Sequence, residues 1–371
     1  MEFSVNSKIL LSQLNIAYGA ISKNPVLPIM EDFLFEVKGN TLKVIATDLE
    51  TTIISTIDVD GKGDGTVAIP ANTLLQTLKT MNDIVLTISV NTENFAVEIV
   101  SFFGNYKCSG DNPSDFPTPP DDTDSFGITV DSNLLKKGIN STIFAASSDE
   151  LRLAMTGLFF NVQKDGLYIV STDAHKLVEY HMKYDFNGID PKGVIIPSNS
   201  CSNLEKILSG SETTNITFTK NNAFFGTNNT TIISRLIDAK YPDYKGVIPT
   251  DNPIFAKVSR KDILGSLKRT LIYANKSTNQ VVLNYDGNKL NISTTDFDMG
   301  KEAKESISAE LIGADSFEIS YNAKFVAEML NVIDNEDIEF KLKSKSSASI
   351  IDIETETDNT KFLIMPVLIG G

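Results

Sequence analysis

The chain has 371 residues, 41% of them hydrophobic and 22% charged, with a formal net charge of −15. That length exceeds what one hydrophobic core usually fills, so two or three domains are expected. No apolar run nears the roughly 20 residues of a membrane-spanning helix, and Met1–Val5 lacks the basic and apolar regions of a signal peptide. Cys108 and Cys201 are too few for a disulfide framework, and His175 and His181, the only histidines, exclude a His-rich metal site. A cytoplasmic protein with no membrane association and no metal is expected. Its acidity runs against nucleic-acid binding unless the basic residues gather on one surface.

The chain then repeats itself three times. Each copy opens on a Val, a helix-capping residue and an apolar helical pattern. Val5-Asn6-Ser7 precedes Leu10, Leu14, Ala17 and Ile21; Val130-Asp131-Ser132 precedes Leu135, Ile139, Ile143 and Ala146; Val258-Ser259-Arg260 precedes Leu264, Leu267, Leu271 and Ala274. Asn6, Asp131 and Ser259 can each accept a hydrogen bond from a first-turn N–H. A hairpin ending in Thr-Asp follows. Phe33–Val37 turns at Gly39-Asn40 into Leu42–Asp48; Leu158–Val162 turns at Asp165-Gly166 into Leu167–Asp173; Val281–Tyr285 turns at Asp286-Gly287-Asn288 into Leu290–Asp296. The third element is a short strand, an Asn and a second helix: Ile69-Pro70-Ala71-Asn72, Ile196-Pro197-Ser198-Asn199 and Ile319-Ser320-Tyr321-Asn322. More alternating strand closes each copy, as at Ile84–Ile88 and Ile338–Leu342.

The expected architecture is therefore α+β, three tandem copies of one domain with two helices on antiparallel sheet. The polar, Pro-rich stretches 113–124 and 241–253 place the domains at 1–122, 127–250 and 251–371. Similar domains joined end to end offer head-to-tail contacts that can close into a ring. Two such chains would bring together twelve helices. At about 9 Å spacing their axes trace a circle about 34 Å across, and a helix diameter of about 10 Å leaves a hole of about 25 Å, enough for a duplex. Lys79, Lys136, Lys137, Lys206, Lys268 and Arg269 lie on the expected helices, with Lys23 and Arg152 just beyond helix ends. Acid clusters such as 121–124 and 354–356 lie on strands and loops, although Glu150, Glu205 and Glu328 keep the segregation incomplete. Phosphate contacts carry no sequence information and permit sliding, and no recognition helix, zinc-finger spacing or aromatic platform is visible.

Features that look chemical read as structural. Ser171, Asp173 and His175 crowd the strand end where Thr-Asp recurs without histidine in the other copies, so a turn is the better reading than a triad. Gly61-Lys62-Gly63-Asp64-Gly65 lacks the Gly-Lys-Ser/Thr ending of a phosphate loop and reads as a hairpin loop. The carboxylates Asp121 and Asp122 sit in a polar linker. No catalytic residue is assigned, and a non-enzymatic protein is expected.

With the triplication established, the whole chain resembles the bacterial DNA polymerase sliding clamp, the beta subunit. The matching stretches are Pro25–Ile29, Thr47-Asp48-Leu49-Glu50, Asp115-Phe116-Pro117, Thr172–Leu177, Tyr241-Pro242-Asp243-Tyr244 and Met365-Pro366. The resemblance implies a head-to-tail homodimeric ring around double-stranded DNA, a processivity factor without a cofactor and a cytoplasmic, nucleoid-associated place. It implies as partners the replicative polymerase, an ATP-driven clamp loader and repair factors, each bound through a short linear peptide. By matching position, the peptide groove would use Met155, Thr172, Ala174, His175, Lys176, Leu177, Pro242, Val247, Asn322, Phe325, Ser347, Leu363, Ile364, Met365, Pro366 and Val367. The subunit interface would use Tyr106 and Cys108 against Ile272 and Tyr273. The chain departs from the family pattern at Ala174 for a usual Gly, Lys176 for Arg, Gly246 for Arg, and in ending Gly370-Gly371. The alternative is a triplicated protein-binding scaffold that does not bind DNA.

Overall fold

The computed structural model describes residues 1–22, 24–123, 125–186, 188 and 190–367. Lys23, Asp124 and the terminal Gly370-Gly371, singled out above, lie outside the described residues.

Among the described residues six α-helices appear, two per copy: α1 (Ser7–Ala17), α2 (Ala71–Lys79), α3 (Ser132–Thr142), α4 (Ser198–Leu208), α5 (Arg260–Thr270) and α6 (Ala323–Val332). The expected caps are all made. Asn6 Oδ1 accepts from the N–H groups of Lys8 and Ile9, Asp131 Oδ1 from Leu134, and Ser259 Oγ from Asp262. Helices α1, α3 and α5 are shorter than the apolar spacing suggested. Ile21, Ile143 and Leu271 lie past their ends, and tight 3₁₀ turns at Tyr18–Ala20 and Ile143–Ala145 continue α1 and α3. Such turns satisfy terminal carbonyls while keeping the apolar side chains on the core side.

The Thr-Asp hairpins form as expected. Lys38 pairs with Thr41, Gln163 with Gly166 and Asp286 with Lys289 across two-residue turns. Gly39 and Gly287 take φ +56° and +54°, the left-handed conformation such turns require. In the third element the copies align differently from the sequence reading. Pro70 pairs with Asp32 and Pro197 with Gly157, but it is Asn322 that occupies this place, opposite Gln280. Tyr321, not Ile319, therefore stands where Ile69 and Ile196 stand. Asn322 caps α6 by accepting from Lys324 N–H, whereas Asn72 and Asn199 lie inside their helices. The shared Asn misled because it recurs by type two positions out of register. Nor is Gly61–Gly63 a loop; it belongs to strand Asp60–Gly63, which pairs with Glu2–Asn6.

Packing groups the chain into two compact units, residues 1–136 with 199–236, and residues 137–198 with residues from 237 onward. The first holds a five-stranded and an eight-stranded antiparallel sheet; the second holds one sheet of twelve strands. Both long sheets are continuous from one copy into the next. Thr230–Arg235, the last strand of the middle copy, pairs with Thr51–Asp58 of the first. Asp358–Ile364, the last strand of the third, pairs with Lys176–Lys183 of the middle one. The middle copy is thus shared between the units. In the second unit, Leu267, Tyr285, Tyr321, Val326, Leu330 and Phe340 anchor the core beneath α5 and α6.

Candidate functional site

Part of the expected groove set comes together within the twelve-stranded sheet, where the Thr172-Asp173 turn meets the last strand. Thr172 closes strand Gly166–Thr172, and its hydroxyl donates to Lys176 O while accepting from Ala174 N–H. Asp173 Oδ1 accepts from the N–H groups of both His175 and Lys176 at 2.9 Å. Asp48 makes the same turn, accepting from Glu50 and Thr51. The turn forces the residue after the Asp into the left-handed region: Leu49 has φ +72° and Ala174 φ +75°. That conformation explains why glycine suits position 174. Ser171 is fully buried and donates to Thr142 O, and the three residues form no triad.

From this turn the chain runs Lys176 to Leu177 beside Ile364 and Leu363. Met365 N–H donates to His175 O and Val367 N–H to Ser320 O, fixing the C-terminal segment against the turn and strand Ser316–Asn322, which leads into α6. The His175 ring lies 6.1 Å from that of Phe325. Leu177 and Leu363 form an apolar floor with Val170, Ile195, Tyr241, Tyr244 and Ala348, and Ala154 and Ile248 pack against it. Met155, Pro242, Val247 and Ser347 each adjoin a member of this floor in the chain. Val247 and Met365 stand 56% and 40% exposed, so apolar surface remains open at the rim. Tyr241, Ala348 and Ala154 were absent from the sequence reading of the groove, although Tyr241 lies in the quoted Tyr-Pro-Asp-Tyr stretch.

Lys176 differs from its neighbours. It is 5% exposed, and its ammonium lies 2.7 Å from Asp173, 3.3 Å from Glu328 and 4.1 Å from the centre of the Phe325 ring. The cation is thus committed to holding the turn and α6 together. Burial pushes the Asp173 carboxyl up, but hydrogen bonds from Lys176 and from the Lys176 and His175 N–H groups outweigh it and hold it below the ordinary value.

The cations expected to face DNA fall into two groups. Lys79 ends α2 exposed, and Lys136, Lys206 and Lys268 bond only neutral partners, Ser209, Asn203 and Asn331. These keep their full charge. Lys137 is bound bidentately by the buried Asp358 at 2.7 and 2.9 Å, Arg152 pairs with Asp149, and Arg269 is forked onto Glu305. These three are partly neutralised. Among the described residues no cluster of three or more His, Cys, Asp or Glu could hold a metal, and no helix is long and apolar enough to cross a membrane.

Tyr106 and Cys108 lie on strand Gly104–Ser109, which pairs only with Ala96–Ser101 and ends the five-stranded sheet. Ile272 and Tyr273 follow α5 and are 63% and 45% exposed. Beside them, Asn275 Nδ2 donates to Asp296, next to exposed Phe297 and Met299.

A triplicated α+β fold with continuous intercopy sheets defines a clamp-type protein. Family models for the DNA polymerase III beta subunit match along the chain: the N-terminal domain over residues 1–120, the central domain over 129–243 and the C-terminal domain over 245–368. The chain belongs to the DNA polymerase III beta-subunit family. It is 29% identical over 377 residues to a beta sliding clamp of Staphylococcus epidermidis, covering 99% of each chain. It is 25% identical over 370 residues to that of Pseudomonas putida, covering 99% of this chain and 100% of the relative. Among solved structures, the beta subunit of Thermotoga maritima superposes with a TM-score of 0.88 at 26% identity, and a Pseudomonas aeruginosa sliding clamp bound to griselimycin with 0.94 at 24%. Both cover 100% of each chain.

Proposed function

We propose that the chain is a DNA sliding clamp. Two copies close head to tail around double-stranded DNA and tether the replicative polymerase, the clamp loader and repair factors through peptides seated in the groove. It acts as a non-catalytic processivity factor in the cytoplasm, at the nucleoid. The three domains divide near residues 122–127 and 250, close to the limits of the matched family models.

The observation that carries this reading is an edge left over by the repeat. Twice within the chain, the last strand of one copy pairs with the strand after the Thr-Asp turn of another: Ile232 faces Ile53, and Phe362 faces Val178. A third such pair would complete the pattern, using the last strand of the first copy and the strand after the Thr-Asp turn of the third. Its halves are strand Gly104–Ser109, which ends its sheet, and residues 301–308 of strand Lys301–Ile312, which pair with Lys289–Asp296 on one side only. Strands left without that counterpart in one chain find it in a second. Unpaired edges are otherwise an aggregation liability.

The repeat also supplies the register. Tyr106 faces Ile99 as Ile232 faces Phe225 and Phe362 faces Ile351. Ala303 faces Thr294 as Ile53 faces Ala46 and Val178 faces Ser171. Tyr106 of one copy is therefore placed opposite Ala303 of the other, Lys107 opposite Glu302 and Cys108 opposite Lys301. The exposed Phe102 and Phe103 flank one half, and Phe297 and Met299 the other, giving the joint an apolar seal.

Directly opposed residues in an antiparallel pair have Cα atoms about 4.5–5.5 Å apart, within disulfide range. Lys301→Cys is thus expected to form a reducible crosslink with native Cys108, giving a dimer-sized band in denaturing gels. Glu302→Cys points to the opposite face and is expected to give none. Burial and the nearby Asp32 raise the Cys108 thiol, so oxidation belongs at alkaline pH. Crosslinking of both variants alike, or of neither, contradicts the ring as drawn.

For DNA contact, Lys79, Lys136, Lys206 and Lys268 carry the interaction. Lys137, Arg152 and Arg269 contribute less because acids already hold them.

A further inference from the structure

The sheet face that carries the groove continues past it. Side chains two residues apart on a strand share a face and sit about 7 Å apart. One such step replaces Leu177 by Glu179 and Leu363 by Lys361, so the apolar floor gives way to a polar one. Over this polar floor lie two adjoining cavities of about 290 Å³ and 420 Å³ that share Ile248, Thr250 and Lys361.

The walls hold unanswered acceptors. Asn252 Oδ1, Asn359 Oδ1 and Asp352 Oδ1 are buried atoms with no hydrogen-bond donor, and all three residues line the cavities. The Asn252 amide is oriented without ambiguity, because its nitrogen donates to Lys341 O and Ala348 O. Glu179, 8% exposed, has the Lys361 ammonium at 3.8 Å and the Tyr244 hydroxyl beside it. Lys245 lies across the mouth, 5.4 Å from the centre of the Tyr168 ring. Three lysines against two carboxylates make the lining too mixed in sign for a phosphate chain. A strip of unpaired acceptors interleaved with lysine donors instead suits the alternating N–H and C=O groups of an extended peptide. A buried acceptor left without a donor is unfavourable, so a peptide that supplies donors gains from filling it.

We propose that this cleft binds the polar flank of the same client peptide whose apolar anchors occupy the groove; the proposal rests on the groove reading. Continuity supports that occupant. Val247 borders the groove and Lys245 the cleft, and the residue between them is the exposed Gly246. A Cβ there would meet nothing closer than the Asp243 carboxylate at 3.8 Å, so the rim between groove and cleft is low at this point. The peptide backbone donates to Asn252, Asp352 and Asn359, and accepts from Lys245 and Lys361.

The test uses the full-length protein and fluorescence anisotropy with three synthetic probes. One is a short peptide with Leu and Phe anchors, the second adds Ser-Asn-Thr-Lys-Ser-Asn at either end, and the third adds six prolines, which have no N–H groups. The Ser-Asn extension at one end is expected to tighten binding five-fold or more. The proline extension is expected to add nothing. Thr250→Trp, which fills the cleft from an exposed position, and Asn359→Leu are expected to abolish the gain while leaving the short peptide unchanged. A photo-crosslinking residue in the extension should label the 245–252 segment. Equal affinity of all three probes, or a gain that survives both substitutions, overturns the proposal and leaves the cleft to water. Failure of the short peptide to bind overturns the groove reading instead.

Discussion

Ala174 shows how one backbone angle encodes a site. Its φ of +75° is forced by the Asp173 turn that presents His175 and buries Lys176, and a Cβ is strained there. Ala174→Gly is expected to stabilise the protein by about 0.5–1 kcal/mol, read as a raised Tm, with no loss of peptide binding. Lys176→Met should act oppositely. It leaves Asp173 and Glu328 without their buried cation, and breaking such a pair costs about 3–5 kcal/mol. The sign of the pH effect follows from Asp173, whose folded pKa is depressed. Its contribution is complete above the unfolded value of about 3.9 and is lost as pH falls through the folded value. Lys176→Met removes the ammonium's share of that depression, so the variant should show a flatter acid limb in urea melts.

Asp32 carries the reverse sign. Burial first, then its hydrogen bond with the Asp111 carboxyl, push it up to about 7. The folded protein therefore holds a proton that the unfolded chain has already released above about pH 4, and stability falls as pH climbs from there to about 7. Asp32→Asn should narrow its deficit, or gain over the parent, between pH 5 and pH 8. A difference in Tm that does not change with pH would contradict the assignment.

At the scale of elements, the caps are the most legible part of the sequence. Asn6, Asp131 and Ser259 were identifiable because an N-cap is a local device needing one side chain and the next turn's N–H groups. Replacing any of the three by Ala should cost about 1 kcal/mol in chemical denaturation, with Ser259→Asp largely neutral. The hairpins were equally legible, because two-residue turns announce themselves through Gly39 and Gly287. Helix ends were not, because the apolar rhythm of Ile21 and Ile143 persists through 3₁₀ turns that bury the same face. The misplacement of Asn322 has a related origin, since residue type alone cannot reveal that Asn322 pairs opposite Gln280. In the groove, residues named through the family resemblance, such as Leu177 and Leu363, do meet. The floor supplied by Tyr241 and Ala348 depends on long-range packing that no local pattern carries.

For the whole molecule, the sharing of the middle copy between two compact units follows from strands that cross copy boundaries, which no boundary drawn along the sequence conveys. The same habit leaves one strand of this kind in each terminal copy without its counterpart, and the proposed ring pairs the two between chains. Net charge, read alone, argues against DNA; the distribution matters more, and only the lysines without acid partners keep their charge for phosphate. Reversing Lys136 and Lys206 together to Glu should weaken DNA retention and flatten its salt dependence by about two counterions, with dimerisation unchanged.

Encirclement is the central claim, and topology tests it most directly. The protein is loaded onto nicked circular plasmid by its cognate loader, freed of unbound protein, and the plasmid is then either kept circular or cut once. Retention on the circle with loss from the linear form, restored by blocking both ends, is the predicted result. Equal retention on circular and linear DNA would mean ordinary surface binding, and would contradict the clamp.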